Sequence, residues 1–184
     1  MTAVVLAGTA VALVAAVAAW FVHGRFVPRL VTSATALALL LVVGVFVLTG
    51  GPGEWSGAAR DWLLVLAAAL AVTGGGPLAA TVLALVDRGA PGDAVQRAGQ
   101  VLRGGAWIGA LERAGVFASL VAGWPEGLAV VLGIKGLARF PELRGPDQGG
   151  SVTPHGVAER FIIGTFVSVL WAAGCAALLL SGGA

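Results

Sequence analysis

Glu112 and Arg113 stand side by side in the middle of an apolar run from Gly104 to Gly123. In a lipid-spanning helix, an ionisable group at that depth costs roughly 2.5–3.5 kcal/mol on insertion scales, so it is kept only where it faces protein, water or an opposite charge. Downstream groups could complete a site with this pair. Lys135 and Arg139 share a helix face at i, i+4 spacing, Glu142 extends that face if the helix survives Pro141, and Glu159 and Arg160 open the last apolar run. Glu112, Arg113, Lys135, Arg139, Glu142, Glu159 and Arg160 are therefore the candidate ligand or ion-pair site. Successive residues on a helix point about 100° apart, so Glu112 and Arg113 need separate partners. A purely structural salt-bridge set among Glu112, Arg113, Lys135, Glu159 and Arg160 is the competing expectation.

Catalysis is harder to build from these residues. Glu112 could act as a general acid or base, but no nucleophile adjoins it, and Ser119 at i+7 is too far along the helix axis to be activated directly. The chain holds no HExxH, no GxS nucleophile with a histidine and no paired aspartates, so no catalytic residue is assigned. His23, His155 and Cys175 do not have zinc-ligand spacing, and neither metal nor cofactor is expected. Lys135 is the single lysine beside ten arginines, which suggests a need for a compact ammonium at that position.

A second feature lies at similar depth. Gly74-Gly75-Gly76-Pro77 falls about halfway along the apolar run Trp62 to Val86 and reads as a helix break near the midplane. Backbone groups freed by a break in lipid need protein, water or ligand, and discontinuous helices beside an ionisable group are how many transporters build midplane sites. The alternative is a simple kink packed against a neighbour.

The elements that must position these residues are membrane helices. With 58% hydrophobic and 11% charged residues, the 184-residue chain lacks the charge that a water-facing surface needs. A net charge of +2 carried in short loops suits membrane topology rather than nucleic-acid binding. The lone Cys175 allows no intrachain disulfide.

Apolar runs predict an all-α polytopic bundle, a single integral membrane domain over residues 1–184 with about six segments at 3–22, 30–49, 62–86, 104–122, 125–140 and 157–180. The first run resembles a signal sequence at Ala16-Val17-Ala18, but no basic residue precedes it and its apolar core is long, so it reads as a retained helix. The tight Gly123-Trp124-Pro125 turn makes segments four and five a helical hairpin or a re-entrant pair. The polar gaps 87–103 and 141–156 are too short to fold alone. Val95, Ala98 and Leu102 give the first gap an amphipathic spacing suited to the membrane surface, and the second reads as a loop.

Basic residues alternate between loops. Arg25 and Arg29, then Arg88, Arg97 and Arg103, then Lys135, Arg139, Arg144 and Arg160 fall on one side, and only Arg60 on the other. The positive-inside rule then puts the basic side in the cytoplasm and both termini outside. Trp20, Trp62, Trp107 and Trp124 lie near segment ends, as interfacial anchors do. Two small-residue stripes predict close packing: Ala106, Ala110, Ala114, Ala118 and Ala122 beside Gly105 and Gly109, and Gly156, Arg160, Gly164, Ser168, Ala172 and Ala176.

The series Gly104 to Arg113, with Lys135, Arg139, Glu142, Glu159, Gly164-Thr165 and Ser168, follows a GxxIGxLER…KxxxR…E…GTxxS pattern. Over roughly residues 100–172 it resembles a bacterial family of small, uncharacterised multi-pass membrane proteins found in genomes and phage-associated loci. The resemblance implies that these polar positions belong together, and it implies no activity. Binding or transport of a small molecule, ion or lipid is the leading expectation for function. A structural or regulatory subunit packed against another membrane protein or a second copy comes next, and an intramembrane enzyme last. Anionic lipid headgroups are the expected partners, attracted to Lys135, Arg139, Arg144 and Arg160.

Overall fold

The computed structural model describes residues 2–22, 26–49, 57–87, 105–144 and 154–181, without the side chains of Phe26, 139–144 and 154–157. These residues form six α-helices: α1 (Thr2–Phe21), α2 (Phe26–Thr49), α3 (Ala58–Val86), α4 (Gly105–Val121), α5 (Glu126–Arg144) and α6 (Pro154–Leu180). There is no strand among them. Four helices are long and apolar enough to cross a membrane: α1, α2, α3 and α6. The other two differ for separate reasons. At 17 residues α4 is about 26 Å long, short of a hydrocarbon core of about 30 Å, and it carries Glu112 and Arg113. In α5, Glu126, Lys135, Arg139, Glu142 and Arg144 dilute the apolar character.

Consecutive helices run in opposite directions. Ser33 near the start of α2 meets Thr81 near the end of α3, their hydroxyls 3.3 Å apart. Arg160 at the start of α6 pairs with Asp87, which caps the end of α3. One end of the bundle therefore gathers the close of α1, the start of α2, the close of α3 and the start of α6. The turn between α4 and α5 has a definite cause: Gly123 takes φ +69°, the Trp124 amide donates to the Ser119 carbonyl at 2.9 Å, and the Gly123 amide donates to Leu120 at 3.1 Å. This is a Schellman close that only glycine enters without strain.

At the centre, α3 is flanked by α1, α2, α4 and α6, with its largest interface against α6. Leu63, Ala67, Leu70 and Ala71 of α3 are buried with Trp171, Ala172, Cys175 and Ala176 of α6. The second small-residue stripe is thus a packing face through Ser168, Ala172 and Ala176, as its spacing predicts. The first is not. Ala106, Ala118 and Ala122 are exposed, and α4 turns Arg113, Val116 and Phe117 inward instead. Arg113 decides the rotation of α4, because leaving a guanidinium in lipid costs more than leaving alanines there.

Three expectations are corrected. Residues Gly74–Pro77 do not break α3, which runs as one helix from Ala58 to Val86 with Pro77 inside it. The helix of segment five passes Pro141 and continues to Arg144, and α6 begins at Pro154, so the gap expected at 141–156 narrows. Segment two begins at Phe26 rather than Leu30. Pro28 is tolerated there because the first four amides of a helix have no intrahelical acceptor to lose. The surface segment expected through Val95, Ala98 and Leu102 lies outside the described residues.

Candidate functional site

Each residue of the Gly74-Gly75-Gly76-Pro77 stretch has a separate job in seating a side chain from another helix. Pro77 has no amide hydrogen, so the carbonyl four residues back, Thr73, has no intrahelical donor. Trp20 of α1 supplies one: its indole Nε1 donates to the Thr73 oxygen at 2.8 Å. Trp171 of α6 donates to the Leu70 carbonyl at 2.9 Å. Arg113 of α4 donates from Nε and from Nη2 to the Val72 carbonyl at 2.9 and 2.8 Å. Three other helices are pinned to α3 by side-chain N–H groups within four residues of its backbone.

The glycines make room for those donors. A Cβ at Gly74 would fall on the Trp171 ring. One at Gly75 would lie 2.5 Å from Arg113 Cδ and 3.2 Å from Trp171 Cδ1, and one at Gly76 would lie 3.1 Å from the Trp20 ring. Gly109 on α4 completes the cradle, since a Cβ there would sit 3.1 Å from Arg113 Nη1. In lipid the unpaired Thr73 carbonyl would cost several kcal/mol. The proline and the tryptophan are therefore a matched pair, as are each glycine and the group above it.

Glu112 and Arg113 diverge from one another. Arg113 is 3% exposed, and besides Val72 its Nη1 donates to Ser168 Oγ of α6 at 3.2 Å. Glu112 turns to α5, where its Oε2 pairs with Lys135, the two side chains 14% and 18% exposed. The other Glu112 oxygen is buried without a hydrogen-bond partner among the described residues. Lys135 also sits 5.6 Å from the centre of the Phe161 ring of α6, a cation–π contact. Arg160 pairs with Asp87. A carboxylate at the C-terminus of α3 opposes the helix dipole, and the guanidinium offsets it. Of the five-residue salt-bridge set only Glu112 and Lys135 pair with each other: Arg160 pairs with Asp87 from outside the set, Arg113 bonds neutral groups, and Glu159 is exposed. The side chains of Arg139 and Glu142 lie outside the described residues.

A half-open cleft of about 520 Å³ lies on the face of α3 between α1 and α4, which make no extended contact with each other. Three cations reach it: Arg29 from the first turns of α2, Arg113 from α4 and Lys135 from α5. No carboxylate lines it among the described residues. The backbone oxygen of Arg29 accepts from Thr32 Oγ1 at 3.1 Å, and its side-chain Nε is buried without a hydrogen-bond partner among the described residues.

A guanidinium has five N–H bonds, of which Arg113 uses three. One N–H remains on each terminal nitrogen, Nη1 beside Gly109 and Nη2 beside Gly76, and both glycines line the cleft. Spare guanidinium N–H groups are donors of the kind that carboxylate and phosphate oxygens accept.

Sequence reasoning missed Arg29, Asp87, Trp20 and Trp171. Arg29 counted as a loop charge because the second segment was begun at Leu30, and Trp20 counted as an interfacial anchor. Trp62, Trp107 and Trp124 are exposed at helix ends and fit that role, whereas Trp20 and Trp171 are spent on α3. The pairing of Trp20 with Pro77 had one signal: a proline inside an apolar run leaves a carbonyl open, and an indole is the natural apolar side chain to fill it. Comparison with protein-family models, with curated proteins and with solved structures returned no match to this chain.

Proposed function

We propose that this chain is an integral membrane protein that binds an oxoanion, a phosphate or carboxylate group, in the cleft between α1 and α4. The observation that carries the proposal is the convergence of Arg29, Arg113 and Lys135 on one cavity that no described carboxylate lines. Three cations on one cleft, Arg113 buried and Arg29 and Lys135 part-buried, with a single described carboxylate in contact, favour the arrival of an anion. The spare N–H groups of Arg113 supply donors, and Arg29, whose Nε is buried without a partner among the described residues, supplies another.

Binding is better supported than passage. Past Ser168 the bundle is filled by Trp171, which packs on Gly74 and hydrogen-bonds Leu70. A separate groove of about 540 Å³ between α2, α3 and α6 has an almost wholly apolar lining. The Arg29 end faces the cytoplasm of a bacterial inner membrane on this proposal, supported by the excess of Lys and Arg in the loops at that end.

The test is thermal unfolding in a neutral maltoside detergent with inorganic phosphate, acetate, monododecyl phosphate and dodecanoate added in turn. At least one raises the melting temperature of the wild type. A ligand at a hundredfold its Kd adds about 2.7 kcal/mol of stability. Arg29→Gln lowers that rise, while Arg60→Gln, at the exposed start of α3, leaves it unchanged. A panel that shifts nothing, or an Arg29→Gln protein that responds like the wild type, overturns the proposal.

A further inference from the structure

The shape and charge of the cleft narrow the ligand, on the premise that it binds an oxoanion at all. At about 520 Å³ the cavity is on the order of seventeen times the share of liquid volume held by one water, about 30 Å³. The five heavy atoms of a phosphate would fill a small part of it. The polar lining groups are Arg29, Arg113, Lys135 and Ser168, and much of the remaining wall is apolar, formed largely by Pro77, Ala80, Leu83 and Ala106. Ala80 and Ala106 are exposed on facing helices, so the apolar part of the cleft leads out between α1 and α4 to where hydrocarbon lies in a membrane. A head that is bound by cations and a tail that remains in lipid is the arrangement these walls fit.

Charge narrows the head. Arg29, Arg113 and Lys135 face the cleft, Glu112 is the one described carboxylate in contact with any of them, and Asp87 with Arg160 forms a separate neutral pair. Among the described residues two positive charges are left over. A carboxylate or a phosphodiester brings one negative charge and leaves one of these cations uncompensated. A phosphate monoester, with a second pKa of about 6, brings two at pH 8 and closes the balance. Its three terminal oxygens also offer acceptors for several donors at once, the spare N–H groups of Arg113 and the cations at Arg29 and Lys135.

We infer that the ligand of the Arg29–Arg113–Lys135 cleft is a single-headed amphiphile carrying a terminal phosphate monoester, a lipid phosphate rather than a phosphodiester lipid, a fatty acid or free phosphate. The tail lies along Pro77, Leu83 and Ala106 and leaves between α1 and α4. Lys135 is shared between Glu112 and the head, which is how a lysine already in an ion pair contributes to an anion site.

The experiment measures affinity by native mass spectrometry of the full chain in neutral maltoside micelles at pH 8. The probes are monododecyl phosphate, didodecyl phosphate, dodecanoate and inorganic phosphate. Monododecyl phosphate binds at least about tenfold more tightly than each of the other three, the factor expected when one charge-assisted contact or the apolar contact is lost. In Arg29→Gln the advantage of the monoester over dodecanoate falls by about tenfold, because the second charge of the head then has no partner, and Arg60→Gln retains it. Inorganic phosphate binding as tightly as the monoester overturns the amphiphile. Dodecanoate or didodecyl phosphate binding as tightly overturns the dianionic head. In both cases oxoanion binding itself survives. Failure of all four probes rejects oxoanion binding, and the ligand class with it.

Discussion

Replacing Gly75 by alanine should destabilise the bundle even though alanine is the better helix former. In a helix interior the substitution gains up to about 1 kcal/mol from propensity. Against that, the new Cβ would lie 2.5 Å from Arg113 Cδ and 3.2 Å from both Arg113 Nε and Trp171 Cδ1. Cδ is in the middle of a side chain whose far end is fixed by hydrogen bonds to Val72 and Ser168, so it has little freedom to move aside. Overpacking of this kind costs about 1–3 kcal/mol. If the guanidinium is pushed off the Val72 carbonyl, each lost charged hydrogen bond adds about 1.5–3 kcal/mol. The balance is a net loss of about 2–4 kcal/mol. Gly133→Ala on α5 is the control, since nothing lies within 4 Å of its added Cβ and propensity alone applies. Both variants are compared with the wild type by reversible unfolding in micelles, and Gly75→Ala is repeated in an Arg113→Ala background. There the contacts with Arg113 are gone and only the one with Trp171 Cδ1 remains, so a coupling of at least about 1 kcal/mol between the two positions is expected. Gly75→Ala as stable as Gly133→Ala would refute the seating of Arg113 against α3.

Trp20→Phe strands the Thr73 carbonyl and costs about 1–3 kcal/mol, and most of that cost disappears in a Pro77→Ala background, where the backbone amide restored at that position can donate to Thr73; equal costs in both backgrounds would contradict the Trp20–Pro77 match. Glu112→Gln leaves Lys135 without its partner and lowers stability by about 3 kcal/mol, the low end for a broken buried pair because neither side chain is fully enclosed. The same melting curve for Glu112→Gln and wild type would show that the pair is solvated. In intact cells, cysteines placed at Ser56 and at the C-terminus label with an impermeant reagent and one at Gly149 does not, with Cys175 giving little background because it is buried; labelling of Gly149→Cys from outside reverses the orientation.

Much of the helical layout could be read from the apolar runs, because a lipid-facing helix needs length and hydropathy and both are local. The start of α2 was missed by four residues since Arg29 looks like a loop charge, and the side chain turns into the cleft only because Phe26, Val27 and Pro28 are already helical. Gly74–Pro77 was noticed and misread. Glycine and proline in a row weaken a helix in isolation, but here partners at Trp20, Arg113 and Trp171, far away in sequence, supply the donors and fill the space. The divergence of Glu112 from Arg113 follows from helix geometry alone. Which residues each meets does not, because Lys135 and Val72 come from helices whose order around the bundle depends on packing. Asp87 was counted with the polar gap after α3, and its pairing with Arg160 depends on the antiparallel return of α6.

The most direct measurement is a crystal structure of the protein soaked with selenate, an oxoanion whose selenium is located by anomalous scattering. An anomalous peak within hydrogen-bonding reach of Arg113 Nη1 and Nη2, above Gly76 and Gly109 and beside Arg29, is the expected result, absent from crystals of Arg29→Gln. Selenium found only at exposed basic residues such as Arg60, with the cleft holding water or nothing, would contradict it.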